Sequence, residues 1–338
     1  MHETHKNRFR FVDLFAGIGG MRVAAESHGG VCVFSSEWDR FAQQTYFENF
    51  NDLPSGDIRE IDASVISDHE FLFAGFPCQA FSIAGKRRGF DDTRGTLFYE
   101  VARIIADKKP EYVLLENVKG LTHHDSGRTL DTILKVLRDD LGYFVPVPRL
   151  VNAKSFGLPQ NRDRIIIVGF RNHDAGKAFT YPPGEPTTNG IGSILEDSPV
   201  AGKYYLSTGL LKTLEDHKIR HAKAGNGFGY QIRSSDQLAA TLVVGGMGRE
   251  RNLIVDTRQT NLVTHNRIKG EINTYGIRRL TPREWARLQG FPDSFRIVVS
   301  DAQAYKQFGN SVAIPAIRAV VENMFMASSF HQGEIGIE

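Results

Sequence analysis

The chain has 338 residues, of which 41% are hydrophobic and 24% are charged, an ordinary composition for a globular protein with a sizeable core. Its two cysteines, Cys32 and Cys78, lie too far apart in sequence for a paired-cysteine metal site and exclude a disulfide framework. No apolar run approaches the roughly 18 residues of a membrane-spanning helix, and the first residues lack a signal-peptide pattern, so we expect a cytoplasmic protein.

Alternating strand-like and helix-like segments predict an α/β fold. The strand candidates are FRFVDLF, VCVFSSE, FLFAG, YVLLEN and IIIVGF, with helical segments between them. The clearest helix is RTLDTILKVLRDDLGY, which places Leu130, Ile133, Leu134, Leu137 and Leu141 on one face and ends at Gly142. This alternation predicts a mostly parallel sheet with helices on both faces.

The pattern changes at TYPPGEPTTNG, residues 180–190, which we interpret as a domain junction. Beyond it the chain is glycine-rich and irregular, and we expect no sustained amphipathic helix there. Near the end, IPAIRAVVENMFM returns to a helical pattern with Pro315 in the first turn.

Positive charge is concentrated in one part of the chain. The formal net charge is only +2, yet residues 245–296 contain ten basic and five acidic side chains. The basic ones are Arg249, Arg251, Arg258, Arg267, Lys269, Arg278, Arg279, Arg283, Arg287 and Arg296. This excess suits a polyanion, although a solvated face without a partner would have the same composition.

A glycine-rich turn, AGIGG, lies between the first strand and the first helix, a layout that directs backbone N–H groups toward a ligand. Glu37, 20 residues after Gly17, ends the next strand and can accept hydrogen bonds from both hydroxyls of a ribose. The third glycine of the dinucleotide motif is missing, which favours a nucleoside without a pyrophosphate, such as S-adenosylmethionine. Asp57 and Ile58 in GDI could contact its adenine, but ordinary strand-end turns would have similar residues.

Polar side chains stand at three further strand ends. Cys78 follows FLFAGFP, Glu116 lies near the end of YVLLEN, and Arg162 and Arg164 precede IIIVGF. Because the carboxyl ends of parallel strands face a common crevice, Cys78 and Glu116 could meet there. A packed side chain remains the alternative for Cys78, and packing is the expected role of Cys32.

Several motifs occur in a recognisable order: DLFAGIGG, SEWD, GDI, GFPCQAFS, ENVKG, QNRDR, RRLTPREWARLQGFPD and YKQFGNSV. From about residue 11 to about residue 321 the chain resembles the DNA cytosine-5 methyltransferases, and bacterial restriction–modification enzymes match best in length and layout. The resemblance implies a Rossmann-like S-adenosylmethionine-dependent methyltransferase domain and a smaller, irregular target-recognition domain. The implied bounds are 1–180 for the catalytic and cofactor-binding domain, 181–276 for target recognition, 277–303 for a hinge, and 304–338 for a segment that returns to the catalytic domain.

The resemblance implies a chemical role for four residues. Cys78 would add to C6 of a cytosine flipped out of the duplex, which makes C5 nucleophilic toward the methyl group. Glu116 would donate a hydrogen bond to N3, and a carboxyl that donates near neutral pH needs a raised pKa. Arg162 and Arg164 would lie near the cytosine O2 and the DNA backbone. The group that removes the C5 proton stays open.

The resemblance also implies ligand contacts, and no metal among them. The cofactor contacts would be Phe15, Gly17, Gly19, Glu37, Trp38, Asp57, Ile58, Pro77, Leu97, Asn310, Ser311 and Val312. Gln79 and Ser82 would hold the backbone of the flipped nucleotide. Lys86, Arg87 and Arg88 would contact phosphates from a loop that closes over the DNA, or else belong to a solvated loop.

Residues from about 182 to 275 correspond to the family's target-recognition region. Arg249 and Arg251 suit bidentate contacts with guanine, and Asn226 or Phe228 could fill the space left by the flipped base. GNGFGY together with VVGGMGRERNLIVD resembles methyltransferases that modify the inner cytosine of CCGG. We therefore expect a monomer that acts on double-stranded DNA in a prokaryotic cytoplasm and functions together with a restriction endonuclease.

Three other functions fit the sequence less well. A tRNA methyltransferase of the same chemistry typically lacks so large a recognition region. A dinucleotide-dependent oxidoreductase would need the missing third glycine and would leave Cys78 and Glu116 without a role. A DNA-binding protein without activity would not need the catalytic residues.

Overall fold

The structure is a computed structural model that describes residues 8–77, 97–227, 229–245, 248–258 and 271–333. Its strands are β1 Phe9–Leu14, β2 Gly30–Ser36, β3 Phe71–Ala74, β4 Tyr112–Val118, β5 Arg149–Asn152, β6 Gln160–Asn161, β7 Asp163–Phe170, β8 Ile232–Arg233, β9 Ala239–Ala240, β10 Leu253–Val255 and β11 Ile277–Arg278. Its α-helices are α1 Gly20–Glu26, α2 Arg40–Phe50, α3 Leu97–Lys108, α4 Arg128–Lys135, α5 His173–Ala178, α6 Thr208–Lys223, α7 Pro282–Gln289, α8 Asp301–Asn310 and α9 Ile314–Gly333. Within the described ranges, no helix is long and apolar enough to cross a membrane.

In the described part of the chain, six strands form the central sheet in the order β2-β1-β3-β4-β7-β5. The pairs β1–β2, β1–β3 and β3–β4 are parallel, whereas β7 runs antiparallel to both β4 and β5. The predicted mostly parallel sheet is therefore confirmed. The edge strand β5 and the reversed direction of β7 were not predicted.

Helices cover both faces of this sheet, as predicted. Side chains alternate along a strand, so Leu72 and Phe71 point to opposite faces. Leu72 belongs to a buried cluster that includes Val101 of α3. On the other face, the Phe71 ring lies 5.0 Å from the ring of Phe325 in α9. Each large apolar side chain buried in this way contributes about 1.5–3 kcal/mol to stability.

The described chain divides into two compact units. Unit 1 comprises Met1–Asn152, Asp163–Gly184 and Val312–Glu338, and it contains the six-stranded sheet. Unit 2 comprises Ala153–Arg162 and Glu185–Ser311. The chain passes from one unit to the other after Asn152, Arg162, Gly184 and Ser311.

Unit 2 contains a helix where we expected irregular structure. Helix α6 spans 16 residues and begins after Ser207, whose hydroxyl accepts a hydrogen bond from the backbone N–H of Leu210. Leu214 packs with Leu206 and Leu253 in a small buried cluster. The expectation that no sustained amphipathic helix occurs here is wrong, because α6 buries one side in this cluster while its other faces are polar.

A buried ion network holds the second half of unit 2 together. The Arg278 side chain has no exposed surface, and its guanidinium lies 2.8 Å from a Glu284 oxygen and 2.9 Å from an Asp256 oxygen. Hydrogen bonds from Arg258 and Arg278 hold the pKa of Asp256 below its ordinary range. Glu284 also completes a capping box with Thr281 at the start of α7.

The positive charge counted in residues 245–296 is therefore partly neutralised within the same region. The ion pairs are Arg258–Asp256 at 2.8 Å, Arg278–Glu284 at 2.8 Å, Arg279–Glu250 at 2.6 Å and Arg287–Asp293 at 2.8 Å. The composition of this region overstates the charge available to a polyanion, because four of its arginines satisfy neighbouring acids.

The carboxyl of Asp13 lies inside the core of unit 1. Asp13 lies in strand β1 between the buried residues Val12 and Leu14 and is 1% exposed. Burial raises the pKa of the Asp13 carboxyl to about 7, although the nearby Arg22 lowers it and Glu37 raises it further. At neutral pH a substantial fraction of the folded protein therefore holds this carboxyl in its neutral form.

We expect the substitution Glu284→Gln to lower the free energy of unfolding by about 3 kcal/mol, because it removes one of the two anions that compensate the buried Arg278. Urea unfolding measures the loss. The matched control is Asp293→Asn, in an ion pair whose carboxylate is 61% exposed, and it should cost no more than about 1 kcal/mol. Equal losses in the two variants would contradict the assignment of the network as a structural element.

We expect the free energy of unfolding of Asp13→Asn to rise relative to that of the wild type as the pH increases from about 5 to 7. The folded-state pKa is about 7 and the ordinary value is 3.8, so folding favours the protonated form. In the wild type, the stabilisation that comes from the protonated carboxyl is fully present below the ordinary pKa. It is lost by about 1.4 kcal/mol per pH unit as the pH rises to the folded-state pKa. Asparagine does not titrate. Urea unfolding at several pH values tests this, and a constant difference would refute it.

Candidate active site

The turn after β1 has an unusual backbone at three positions. Phe15 has φ 56°, Gly17 has φ 55° and Gly19 has φ 84°. A Cβ atom on Gly19 would lie 2.3 Å from the ring of Phe50, so this position excludes larger residues. A Cβ atom on Gly17 would meet no atom of the described residues within 4 Å. The side chain of Phe15 packs partly against the core.

Glu37 ties this turn to the end of β2. Its carboxylate accepts hydrogen bonds from the backbone N–H of Gly17 at 2.9 Å and of Asp39 at 2.7 Å. Burial raises the pKa of this carboxyl, while the two N–H donors act in the opposite direction. The neighbouring Trp38 is 74% exposed, so a large aromatic surface stands next to the carboxylate.

The GDI segment is held in place from two sides. The Asp57 carboxylate accepts a hydrogen bond from the backbone N–H of Arg59 at 3.0 Å and pairs with its guanidinium, which lowers the pKa of Asp57. Arg103 of α3 donates to the carbonyls of Ile58 at 3.1 Å and Ile61 at 2.9 Å. The Ile58 side chain lies in the core and is 2% exposed, so it presents little surface to a ligand in this structure.

Glu116 lies in β4 beside the end of β3. It is 9% exposed, and its Oε1 lies 2.9 Å from Nε of Arg164. An ideal Cβ on Gly75 would lie 3.9 Å from Glu116 Oε2, so the carboxylate faces the strand end that precedes Cys78. The structure therefore brings two predicted catalytic residues, Glu116 and Arg164, into direct contact.

Asn117 holds the segment that leads to Cys78. Its Nδ2 donates to the carbonyl of Phe76 at 2.8 Å, and its Oδ1 accepts from the backbone N–H of Val118 at 2.8 Å. Both Asn117 and Phe76 are buried. In the sequence this asparagine is part of ENVKG, and an amide directly after a strand-end acid is the signal that could have identified it.

Arg162 has a different environment from Arg164. It is 1% exposed and belongs to unit 2, where its guanidinium donates to backbone carbonyls. Of the predicted cofactor contacts in the last part of the chain, Asn310 is exposed at the end of α8, Ser311 is half-buried, and Val312 is 6% exposed. Pro77 is exposed, and Leu97 packs partly against the core of unit 1.

Most predicted DNA contacts are not described. Cys78, Gln79, Ser82, Lys86, Arg87, Arg88 and Phe228 lie outside the described residues. Asn226 is exposed just after α6. Arg249 and Arg251 lie in a short 3-10 helix, Gly248–Asn252, and the Arg249 guanidinium lies 5.4 Å from the ring of Tyr305.

The other cysteine, Cys32, has the environment of a packed residue. The Cys32 thiol donates to the carbonyl of Phe34 at 3.4 Å, and burial raises its pKa to about 12. A thiol with such a pKa is a poor nucleophile near neutral pH. Within the described part of the chain, no group of three or more His, Cys, Asp and Glu side chains could hold a metal ion.

The sequence and the fold both match known proteins. A family model described as C-5 cytosine-specific DNA methylase matches residues 9–326. The type II methyltransferase M.HpaII of Haemophilus parainfluenzae is 60% identical over 316 residues, which cover 93% of this chain and 88% of that protein. The type II methyltransferase M.HhaI of Haemophilus parahaemolyticus is 40% identical over 329 residues, which cover 95% of each protein.

Solved structures support the same fold. The Dnmt2 methyltransferase of S. pombe superposes with a TM-score of 0.70 at 20% identity, over 95% of this chain and 99% of that chain. The Entamoeba histolytica methyltransferase EhMeth superposes with a TM-score of 0.71 at 18% identity, over 95% and 98%. At such identities the likeness establishes the fold alone. The family model over residues 9–326 and the 60% identity to M.HpaII show that the chain belongs to the C-5 cytosine-specific DNA methylases and is a DNA (cytosine-5)-methyltransferase.

Proposed function

We propose that this enzyme transfers a methyl group from S-adenosylmethionine to C5 of a cytosine that is flipped out of double-stranded DNA at a specific short site. The position of the Glu116 carboxyl carries this proposal, because it lies buried beside the strand end that leads to Cys78. The reaction requires a thiol that adds to C6 and a carboxyl that donates to N3 of the same pyrimidine ring. Extrusion of the base costs a few kcal/mol, which contacts along the DNA backbone must offset.

Glu37, together with the turn after β1 that it binds, suits the nucleoside part of the cofactor. Two backbone N–H groups occupy only part of the acceptor capacity of the carboxylate, so ribose hydroxyls can bind the remaining lone pairs. The exposed ring of Trp38 offers a face for adenine. The bound cofactor supplies an electrophilic methyl group on a sulfonium. The other predicted cofactor contacts, from Phe15 to Val312, stay predictions.

Cys78 is the proposed nucleophile. Its thiolate adds to C6 of the cytosine, which raises electron density at C5, while Glu116 donates to N3 and so stabilises the charge that develops there. C5 then takes the methyl group as the bond from the methyl carbon to the sulfonium sulfur breaks, which leaves S-adenosylhomocysteine. A base removes the C5 proton, and the bond between C6 and the Cys78 sulfur breaks to restore the aromatic ring. The identity of that base is left open.

Arg164 influences whether the Glu116 carboxyl is ionised or protonated. In the substrate-free enzyme its guanidinium stabilises the negative charge of the carboxylate at 2.9 Å. We propose that Arg164 contacts the cytosine O2 when the base enters. The guanidinium has five donors, so contact with O2 is compatible with one remaining bond to Glu116. A weakened ion pair leaves the carboxyl able to hold the proton that it shares with N3.

We propose CCGG, with methylation of the inner cytosine, as the target. The recognition segments GNGFGY and VVGGMGRERNLIVD, which resemble those of CCGG methyltransferases, support this choice. The proposed readers are Arg249 and Arg251, with Asn226 or Phe228 filling the space of the flipped base. We further propose that residues 181–276 form the target-recognition domain, with 277–303 as a hinge and 304–338 returning to the catalytic domain.

The names of the relatives suggest the biological setting. Both M.HpaII and M.HhaI are type II methyltransferases. We propose that this enzyme likewise protects host DNA from a cognate restriction endonuclease, acts as a monomer in the cytoplasm, and uses no metal. The pairing with the endonuclease is functional and requires no physical complex.

We expect Asn117→Ala to lower kcat for methyl transfer by about ten- to a hundredfold, because the Phe76 carbonyl would no longer be held and the turn before Cys78 would shift. Kinetics at a temperature where melting curves show both proteins folded measure the loss. The matched control is Asn323→Ala in α9. It removes a similar hydrogen bond, from a side-chain amide to the carbonyl of Thr180, in another part of unit 1. It should leave kcat within about twofold. Similar kinetics for the two variants would exclude the role of Asn117.

Incubation with S-adenosylmethionine and unmethylated plasmid DNA, followed by bisulfite sequencing, tests the proposed function. We expect protection of the inner cytosine of CCGG alone. Cys78→Ser should abolish methyl transfer but retain DNA binding, because a hydroxyl near neutral pH is a far weaker nucleophile than a thiolate. Protection at another site would overturn only the proposed target, and near-normal transfer by Cys78→Ser would overturn the nucleophile.

A further inference from the structure

The Arg162 guanidinium, buried inside unit 2, binds the backbone at one end of a helix. It donates to the carbonyls of Ser311 at 2.5 Å and Gly309 at 3.1 Å, and it lies 3.4 Å from the carbonyl of Leu242. The Arg162 side chain is 1% exposed, so it presents almost no surface to DNA in this structure. All four residues belong to unit 2.

The carbonyls of Gly309 and Ser311 lie at the C-terminal end of α8, Asp301–Asn310. The last carbonyls of a helix have no partners within the helix, and the helix dipole favours a positive charge there. Gln289 adds a second side chain at the same end, because its Nε2 donates to the carbonyl of Phe308 at 2.7 Å. Buried side chains therefore donate hydrogen bonds to the carbonyls at the end of α8.

The segment that carries Arg162 is itself firmly held. Gln160, two residues earlier, has no exposed surface. Its Nε2 donates to the carbonyl of Leu288 at 2.8 Å, and its Oε1 accepts from the backbone N–H of Leu242 at 3.2 Å. Gly309 also packs closely, since a Cβ there would lie 2.6 Å from a methyl group of Val244. The position of Arg162 is therefore fixed relative to the end of α8.

We propose that Arg162 is a positioning residue for the cofactor rather than a contact with cytosine or DNA. It holds the carbonyls on either side of Asn310 and thereby fixes the backbone that presents Asn310 and Ser311. This inference rests on the proposed function, which assigns both residues to the cofactor's methionine portion. Arg164, only two positions along the chain, pairs with Glu116 and serves the reaction itself.

Two neighbouring substitutions separate these roles. Calorimetric titration with S-adenosylmethionine in the absence of DNA should show that Arg162→Met weakens cofactor binding about tenfold or more. Arg164→Met should keep the cofactor affinity within about threefold and lower kcat instead. In steady-state kinetics, Arg162→Met should raise the KM for the cofactor more than it changes the KM for DNA.

A milder variant guards against loss of folding. Arg162→Lys keeps the charge but loses the planar fork that reaches several carbonyls at once, so its cofactor affinity should fall between those of the wild type and Arg162→Met. Amide hydrogen exchange of residues 308–312, measured without cofactor, should be faster in Arg162→Lys than in the wild type and unchanged in Arg164→Met.

The outcomes are distinguishable. Folded Arg162→Lys with wild-type cofactor affinity and wild-type exchange at residues 308–312 would overturn the inference, as would a selective loss of DNA affinity. If the wild type binds no S-adenosylmethionine, the proposed function fails. In that case, unchanged amide exchange in Arg162→Lys would also show that Arg162 does not order the end of α8. Faster exchange would show that Arg162 orders the end of α8 without any role in cofactor binding.

Discussion

The register between the antiparallel strands β4 and β7 is the constraint on which the candidate site depends. Glu116 pairs with Ile166, and Val118 pairs with Arg164. Glu116 and Arg164 are therefore diagonal neighbours on the same face of the sheet, close enough for an ion pair. A shift of one residue in this register would turn the Arg164 side chain to the opposite face and separate the two.

Polar side chains of the candidate site also hold backbone turns, so the same hydrogen bonds serve both the fold and the site. Glu37 binds the N–H of Gly17, Asn117 binds the carbonyl of Phe76, and Asp57 binds the N–H of Arg59. Such bonds order the turns before any ligand arrives, so less conformational entropy is lost on binding. The same logic extends to Arg162, which orders a helix end rather than a turn.

Several features could be predicted from the sequence because they rest on local patterns. The strands around Val12 and Leu72 follow from short, mostly apolar segments, and α9 follows from its apolar spacing with Pro315 in the first turn. Helix α6 escaped prediction because its buried stripe is short and its other faces are charged. The availability of the basic side chains also escaped prediction, because composition counts charges without showing that Arg278 is bound by Glu284.

By itself, the sequence determined the family, the alternation of strands and helices, and the residue types that cytosine methylation requires, since these depend on identity and order along the chain. Only the tertiary structure separated the two arginines of QNRDR, with Arg164 beside Glu116 and Arg162 buried at the end of α8. Both have the same charge and stand two positions apart, so no local pattern tells them apart. Their partners come from segments distant in sequence, and long-range packing alone decides which carboxylate or carbonyl each guanidinium meets.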